Sequence, residues 1–321
     1  MKRDTIIRML GNLLPLVDPA YRADANETLA MARQLEHFFA KIYTKKFPDS
    51  KGRVLVPVNN EVNTGARSHT YVMTEEFGEA RIIHDYAEDL PMVDLNGKEF
   101  TSKIVPVVAG FHFSLQDLRS AAMLGMSIDS MKATLARKSI ERKIDQLICT
   151  GDTATALTGM ANNANVPLAT GLTGTWQSAA ATVIQADMEK ICTQLFTNCA
   201  GTIPEERSVT VAVDVATYAR LSTLRIDTFN MRTVLDYLLE SNRMIKEIVS
   251  WSRLSKVASG GTARRLVAYV KDPDTLEAVI PQEFEILPAQ PRALAFVVPC
   301  HARFGGVKVP YPLQMIYADG T

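Results

Sequence analysis

Residues 104–152 read IVPVVAGFHFSLQDLRSAAMLGMSIDSMKATLARKSIERKIDQLICTGD. This stretch decides the fold. Lys103 to Phe113 is extended, and Pro106 marks a sheet edge or a bulge. Ser114 caps a short helix over Leu115–Leu124, and Gly125 takes the place just past its end. Ser127 or Asp129 caps a second helix of about 21 residues, roughly 31 Å at 1.5 Å per residue. Its apolar seam is Ala133, Ala136, Ile140, Ile144 and Leu147. Met131 and Leu135 lie on another side, which predicts two covered faces early in the helix and one later. Arg137, Lys138, Glu141, Arg142 and Asp145 are expected to face water or a neighbouring subunit. Glu141 and Asp145 form a like-charge i,i+4 pair, eased by Arg137, Lys138 and Arg142.

Upstream, a helix is predicted over about Ala23 to Tyr43, ended by Lys45-Lys46 and Pro48. Arg53 to Val58 reads as a strand, and Asn59 to Arg67 as a polar loop tip. His69–Met73 and Arg81–Tyr86 read as further extended segments. Little between 51 and 102 is apolar enough to fill a core. A long two-stranded excursion is marginal alone and needs a partner surface.

Downstream, Thr153 to Gln177 is a long loop with Gly159, Gly171 and Gly174. An α/β pattern follows. Helices are predicted over about Asp187–Thr197, after an Asp214 cap, and over Met231–Leu239. Strands are predicted at Ser208–Val213, Ile245–Ser250, Leu266–Val270 and Phe284–Leu287. Asp272-Pro273-Asp274 is a turn, and Arg264-Arg265 after Gly260-Gly261 reads as a solvated loop. The end is β again at Ala293–Pro299, Phe304–Val309 and Leu313–Tyr317, with a turn or bulge at Gly305-Gly306.

The chemistry is sparse. There is no P-loop, GxGxxG, HExxH or EF-hand loop, and Gly125-Met126-Ser127 lacks the second glycine of a nucleophile elbow. His37, His69, His84, His112 and His301 are scattered, and adjacent His84 and Asp85 on an extended segment would diverge. Cys149, Cys192, Cys199 and Cys300 form no CxxC pair and read as buried free thiols. No cofactor, metal or catalytic residue is expected. The 35 basic and 35 acidic residues of the 321 cancel, which argues against a dedicated nucleic-acid binder but not against a wall beside DNA. The first 46 residues hold eight basic and five acidic residues, a mild positive bias. No apolar run approaches the ~18 residues of a membrane span, so no membrane partner is expected and synthesis in a cytoplasm is.

Several phrases, in order, resemble major capsid proteins of tailed bacteriophages with the Hong Kong 97 type fold. They are Asp89-Leu90-Pro91, Phe113-Ser114-Leu115-Gln116-Asp117-Leu118, Gly125 with Ile128-Asp129, and Lys132 to Asp145. Gly151-Asp152, Leu157-Thr158-Gly159-Met160, Arg303-Phe304-Gly305-Gly306-Val307, Pro312 and Tyr317-Ala318-Asp319-Gly320 complete them. The resemblance implies an α+β architecture in four parts. These are an N-terminal arm over 1–50, an extended β-hairpin loop over 51–100, a peripheral domain with a spine helix over 101–155 and 285–321, and an inserted α/β axial domain over 156–284. It implies a non-enzymatic subunit that self-assembles through pentamers and hexamers into an icosahedral virion shell around double-stranded DNA, built in a bacterial cytoplasm. It further implies a portal, with room for a decoration protein. Nothing before residue 20 is long enough for a fused scaffolding domain, so scaffolding is expected from a separate protein, or the chain is a processed form. Lys51 and Lys98 flank the loop, but no asparagine or glutamate partner for a crosslink can be picked out. Arg67, Glu75, Glu76, Arg81, Arg137 and Glu141 are the candidate intersubunit contacts. One rival is an encapsulin-like nanocompartment shell around a cargo enzyme. Another, of a different class, is a two-domain α/β hydrolase or transferase.

Overall fold

A computed structural model describes residues 47–320 apart from 79, 81, 83–91, 125–127, 205, 227–231, 259 and 294. The expected arm helix and the 81–86 strand fall outside the described residues, save Ile82. The elements below all belong to one compact unit, Pro48–Thr321.

In chain order, the elements begin with a helical turn α1 (Gly52–Leu55) and the short strand β1 (Val58–Asn59). β2 (Ser68–Phe77) and β3 (Asp94–Lys103) form a hairpin, and β4 (Val105–Ser114) follows. Then come α2 (Leu115–Leu124) and the long α3 (Ile128–Thr150). α4 (Ala181–Asn198), β5 (Val209–Val213), α5 (Val215–Thr223), α6 (Val234–Ser241), β6 (Ile245–Ser250) and β7 (Arg265–Val270) make the middle of the chain. β8 (Glu277–Val279), β9 (Gln282–Ile286), β10 (Gln290–Arg292), β11 (Ala295–Phe304), β12 (Val307–Lys308) and β13 (Met315–Asp319) close it.

One sheet, ordered β13-β7-β5-β6, organises the body. β5, β7 and β13 carry near-continuous apolar runs, as strands covered on both faces should, while the edge strand β6 is mixed. Ala212, Val267, Tyr269, Met315 and Tyr317 point into a core shared with α3, β4 and β11. Val209, Val211, Val213, Leu266, Ala268, Ile316 and Ala318 point into a second core under α4, α5 and α6. The period-2 alternation along each strand thus feeds two cores from one sheet.

A second sheet, β10-β11-β4 with β9 also on β11, backs the spine helix α3. β4 pairs with β11 over its full length, from Ser114↔Ala295 to Val105↔Phe304. The seam expected on α3 is largely buried: Ala136, Ile140, Ile144 and Leu147 are all under a tenth exposed. Ser114 caps α2, accepting from Asp117 N at 3.0 Å while Asp117 accepts from Ser114 N at 3.1 Å. This reciprocal box is a start signal written in the sequence.

The exit of α3 is built by a loop that folds back. Met160 N and Ala161 N donate to the Ile148 and Cys149 carbonyls at 2.7 and 2.8 Å. These are last-turn carbonyls that have no partner inside the helix. Gly151 sits at φ +66, and a Cβ there would meet the Leu157 carbonyl oxygen at 2.1 Å. A Cβ on Gly159 would meet Gly151 N at 2.4 Å and Cys149 O at 2.6 Å. Both glycines are required by close backbone approach.

Several expectations are corrected. The strand predicted over 53–58 begins as α1, because Val54 N and Leu55 N both donate to Lys51 O and Gly52 N donates to the buried Asp145 carboxylate at 2.8 Å. Pro57 then holds Val56 extended. Residues 59–67 are the body end of the hairpin and not its tip, and the second strand runs over 94–103. Asp129 lies inside α3, and Ser127 lies outside the described residues. α4 starts at Ala181, six residues early, and α6 starts at Val234 behind a Thr233 cap. β11 runs on to Phe304, and the chain changes sheet at Gly305-Gly306 so that β12 pairs with β8. Arg264-Arg265 is no solvated loop: Arg264 pairs with Asp214 at 3.1 Å and Arg265 with Asp319 at 2.6 Å.

Candidate assembly surfaces

Two surfaces stand out, both on elements that the described residues of the same chain leave uncovered on one side. The first is the β2–β3 hairpin. Its ten pairs run from Ser68↔Lys103 to Phe77↔Asp94, about 34 Å at ~3.4 Å per residue. Alternation puts His69, Tyr71, Phe100 and Ser102 on one face near the base. That face is seated on the body. Ser102 Oγ donates to Gly305 O at 3.0 Å, Tyr71 stacks on Phe100 at 5.3 Å, and Lys308 lies over the Tyr71 ring. Arg303 holds the loop before the hairpin by donating to the Thr64 and Ala66 carbonyls. Burial pushes the Tyr71 phenol up and holds the His69 imidazole down, the latter helped by Lys308. The opposite face carries Thr70 and Thr101, hydrogen-bonded at 2.8 Å, and then Val72 and Leu95, 58% and 60% exposed. Further out, Phe77, Met92 and Val93 are also exposed.

The second surface is the outer side of α3. Met131 and Leu135, one turn apart, are 42% and 56% exposed, and Lys138 continues the stripe. The two-sided cover expected early in this helix is therefore not supplied by the described residues of the same chain.

The six predicted contact residues split between these places. Arg67 is exposed at the hairpin base, and its carbonyl accepts from Ile104 N. Glu75 and Glu76 pair in register with Asn96 and Leu95 in the outer half of the hairpin. Arg81 lies outside the described residues. Arg137 reaches over the Phe284 ring, and Glu141 pairs with Arg53 at 3.1 Å, so both are engaged within the chain.

Asp145 is the clearest correction. It faces neither water nor a neighbour but is 4% exposed. Its carboxylate accepts from Gly52 N at 2.8 Å, Trp251 Nε1 at 3.1 Å and Arg253 Nε at 2.9 Å. Arg53 and Arg253, rather than the cations of the same helix, ease the Glu141–Asp145 pair. One carboxylate thereby joins α1, the spine helix and the segment after β6. Among the described residues no group of three or more metal-ligating side chains gathers, and no helix is long and apolar enough to cross a membrane.

A family model of major capsid proteins matches residues 78–321. This chain belongs to the major capsid protein family. Its fold is the Hong Kong 97 type seen in solved phage capsids. The capsid of Myoviridae phage XM1 aligns at TM-score 0.79 with 18% identity, covering 90% of this chain and 98% of that one. A native gene-transfer-agent (GTA) particle capsid aligns at 0.65 with 12% identity, covering 94% and 99%. Gordonia phage Cozz aligns at 0.61 with 15% identity, covering 94% and 96%. No curated protein sequence matches. The family match takes in β3, the spine helix, the core under α4, most of the core beside the spine and the last strand, and it begins at Gly78, just past β2.

Proposed function

We propose that the chain is the structural subunit of an icosahedral phage head that encloses double-stranded DNA, and that it acts by assembly and not by catalysis. The observation that carries this is the hairpin: ten strand pairs with apolar side chains on the face its own body leaves open. A two-stranded ribbon of that length is marginal in water and gains stability when a second surface covers it. Membership of the major capsid family supports a second copy as that surface.

The complementary chemistry is on the spine helix. Val72, in register with Glu99, and Leu95, in register with Glu76, offer exposed apolar side chains on the hairpin's open face, each with an acidic residue across the strand pair. Met131 and Leu135, followed by Lys138, offer an apolar patch and a base. In this reading the hairpin of one copy lies across the first half of α3 of the next, with Arg67 at the rim. Apolar burial supplies the affinity and the charges set register. A portal and a separate scaffolding protein are the further partners, and the shell is a virion component.

The test is electron microscopy and sedimentation of the purified protein beside a Val72→Asp/Leu95→Asp variant. Wild type is expected to form capsomers or shells. The variant is expected to keep its circular dichroism and remain small. Shells of normal yield from the variant would remove the hairpin from the interface. A monodisperse small oligomer from wild type under every assembly condition, in particular one with enzymatic turnover, would sink the capsid reading. Shells that hold an enzyme and no DNA would favour a nanocompartment.

A further inference from the structure

We propose that His69 is an acid-sensitive latch, whose protonation unseats the β2–β3 hairpin from the body of its own chain. The residue sits at the base of β2, on the face that meets the β11–β12 junction. A Cβ built on Gly305 would lie 3.1 Å from His69 Nδ1 and 3.2 Å from Cε1, so the ring packs tightly in a niche against a glycine that leaves it room. Val279 closes the same niche at 3.1 Å from that position. Both ring nitrogens are buried and neither has a hydrogen-bond partner among the described residues. A neutral imidazole tolerates this by leaving one weak donor and one acceptor unsatisfied. An imidazolium would present two strong donors, and a charge, to a place with no acceptor.

The surrounding charges make the positive ring worse placed. Lys308 on β12 is the cation that faces it, and together with burial it holds the imidazole below its ordinary value, burial being the larger cause. Glu277 on β8 is the acid that partners this lysine, at 3.6 Å, and it also accepts from Asn59 at 3.2 Å. Tyr71 on the same strand is a neutral phenol raised by burial. On β3, Ser102 spends its hydroxyl on Gly305 O. None of these groups hydrogen-bonds either ring nitrogen in the seated arrangement.

The seated imidazole titrates below the released value of about 6.5, so seating is at full strength above ~6.5 and is lost as pH falls towards the seated value. Released, the ring is solvated and the hairpin hinges about Arg67 and Ile104, held only by Arg303. The latch concerns how the hairpin sits on its own body and stands apart from which copy it meets.

The test is hydrogen exchange of the full chain between pH 7.5 and 5, with intrinsic rates divided out. Protection over residues 68–73 and 100–104 is expected to fall as the pH drops below ~6.5, by at most about tenfold per pH unit, while β5 and α4 hold. In His69→Phe, which refills the niche without a proton site, protection is expected to stay flat. If that variant does not fold, Lys308→Met decides, because removing the cation should raise the seated value towards the released one and shrink the loss. Flat protection in wild type, an equal loss in His69→Phe, or an undiminished loss in Lys308→Met each overturns the latch.

Discussion

At the scale of single residues, the Asp145 carboxylate shows what helical spacing does not reveal. It sits at i+4 from Glu141 in a charged stretch, and periodicity assigns both to solvent. Its three partners lie 93, 106 and 108 positions away, beyond any local pattern. Removing one member of such a buried set strands the others. Asp145→Ala is therefore expected to cost about 3 kcal/mol in denaturant unfolding, against a few tenths for Lys143→Ala on the exposed side. Equal costs would mean that the carboxylate ties nothing together. The cysteines, by contrast, are legible as small buried hydrophobes, and all four are buried and unbridged. Burial pushes the Cys149 thiol up to about 12 and those of Cys192 and Cys199 to about 11. At pH 8 a disulfide reagent should thus label the native chain slowly and the denatured chain at once. Rapid labelling of native protein would contradict that burial.

Among the elements, those with a local reason to form are readable and those held by distant partners are not. Ser114 and Asp117 write the start of α2, Asp214 that of α5, and the alternating or continuous apolar runs write β5, β7 and β13. The turn α1 reads as a strand because its first amide is bound by a carboxylate on another helix, which no local signal announces. The long β2–β3 pairing is visible only as a polar excursion, since its cross-strand partners lie across a stretch with no apolar rhythm. The candidate surface is half legible for the same reason: its charges stand out in the sequence, as do Met131 and Leu135 on a second side of the spine helix, and the exposed Val72 and Leu95 do not. The glycines at the end of α3 offer a sharp test of the returning loop. Gly159→Ala forces a methyl into two backbones and is expected to cost about 3 kcal/mol, whereas Gly171→Ala, with open space around it, is expected to cost less through its positive φ alone. Thermal unfolding of the two variants ranks them.

For the whole molecule, the sheet shared by the two cores predicts one cooperative unit. Ile144 is buried in the core beside the spine and Ile191 in the core under α4. Ile144→Ala and Ile191→Ala are each expected to lower stability by about 3 kcal/mol and to shift the same unfolding transition. Calorimetry that resolves two transitions, each moved by only one substitution, would show the cores to be independent.

The final strand also sets an order of events during synthesis. Residues 315 and 317 belong to one core and 316 and 318 to the other, and all four join β7 only after more than 300 residues have been made. Neither core is complete until the ribosome has passed residue 318. A prematurely terminated chain would lack the strand that seals both, leaving β7 with a bare edge and two open apolar faces. Such fragments should be drawn off by chaperones and proteases before they meet a finished copy. Translation to the end of this strand thereby becomes a checkpoint on which polypeptides are competent to join one another.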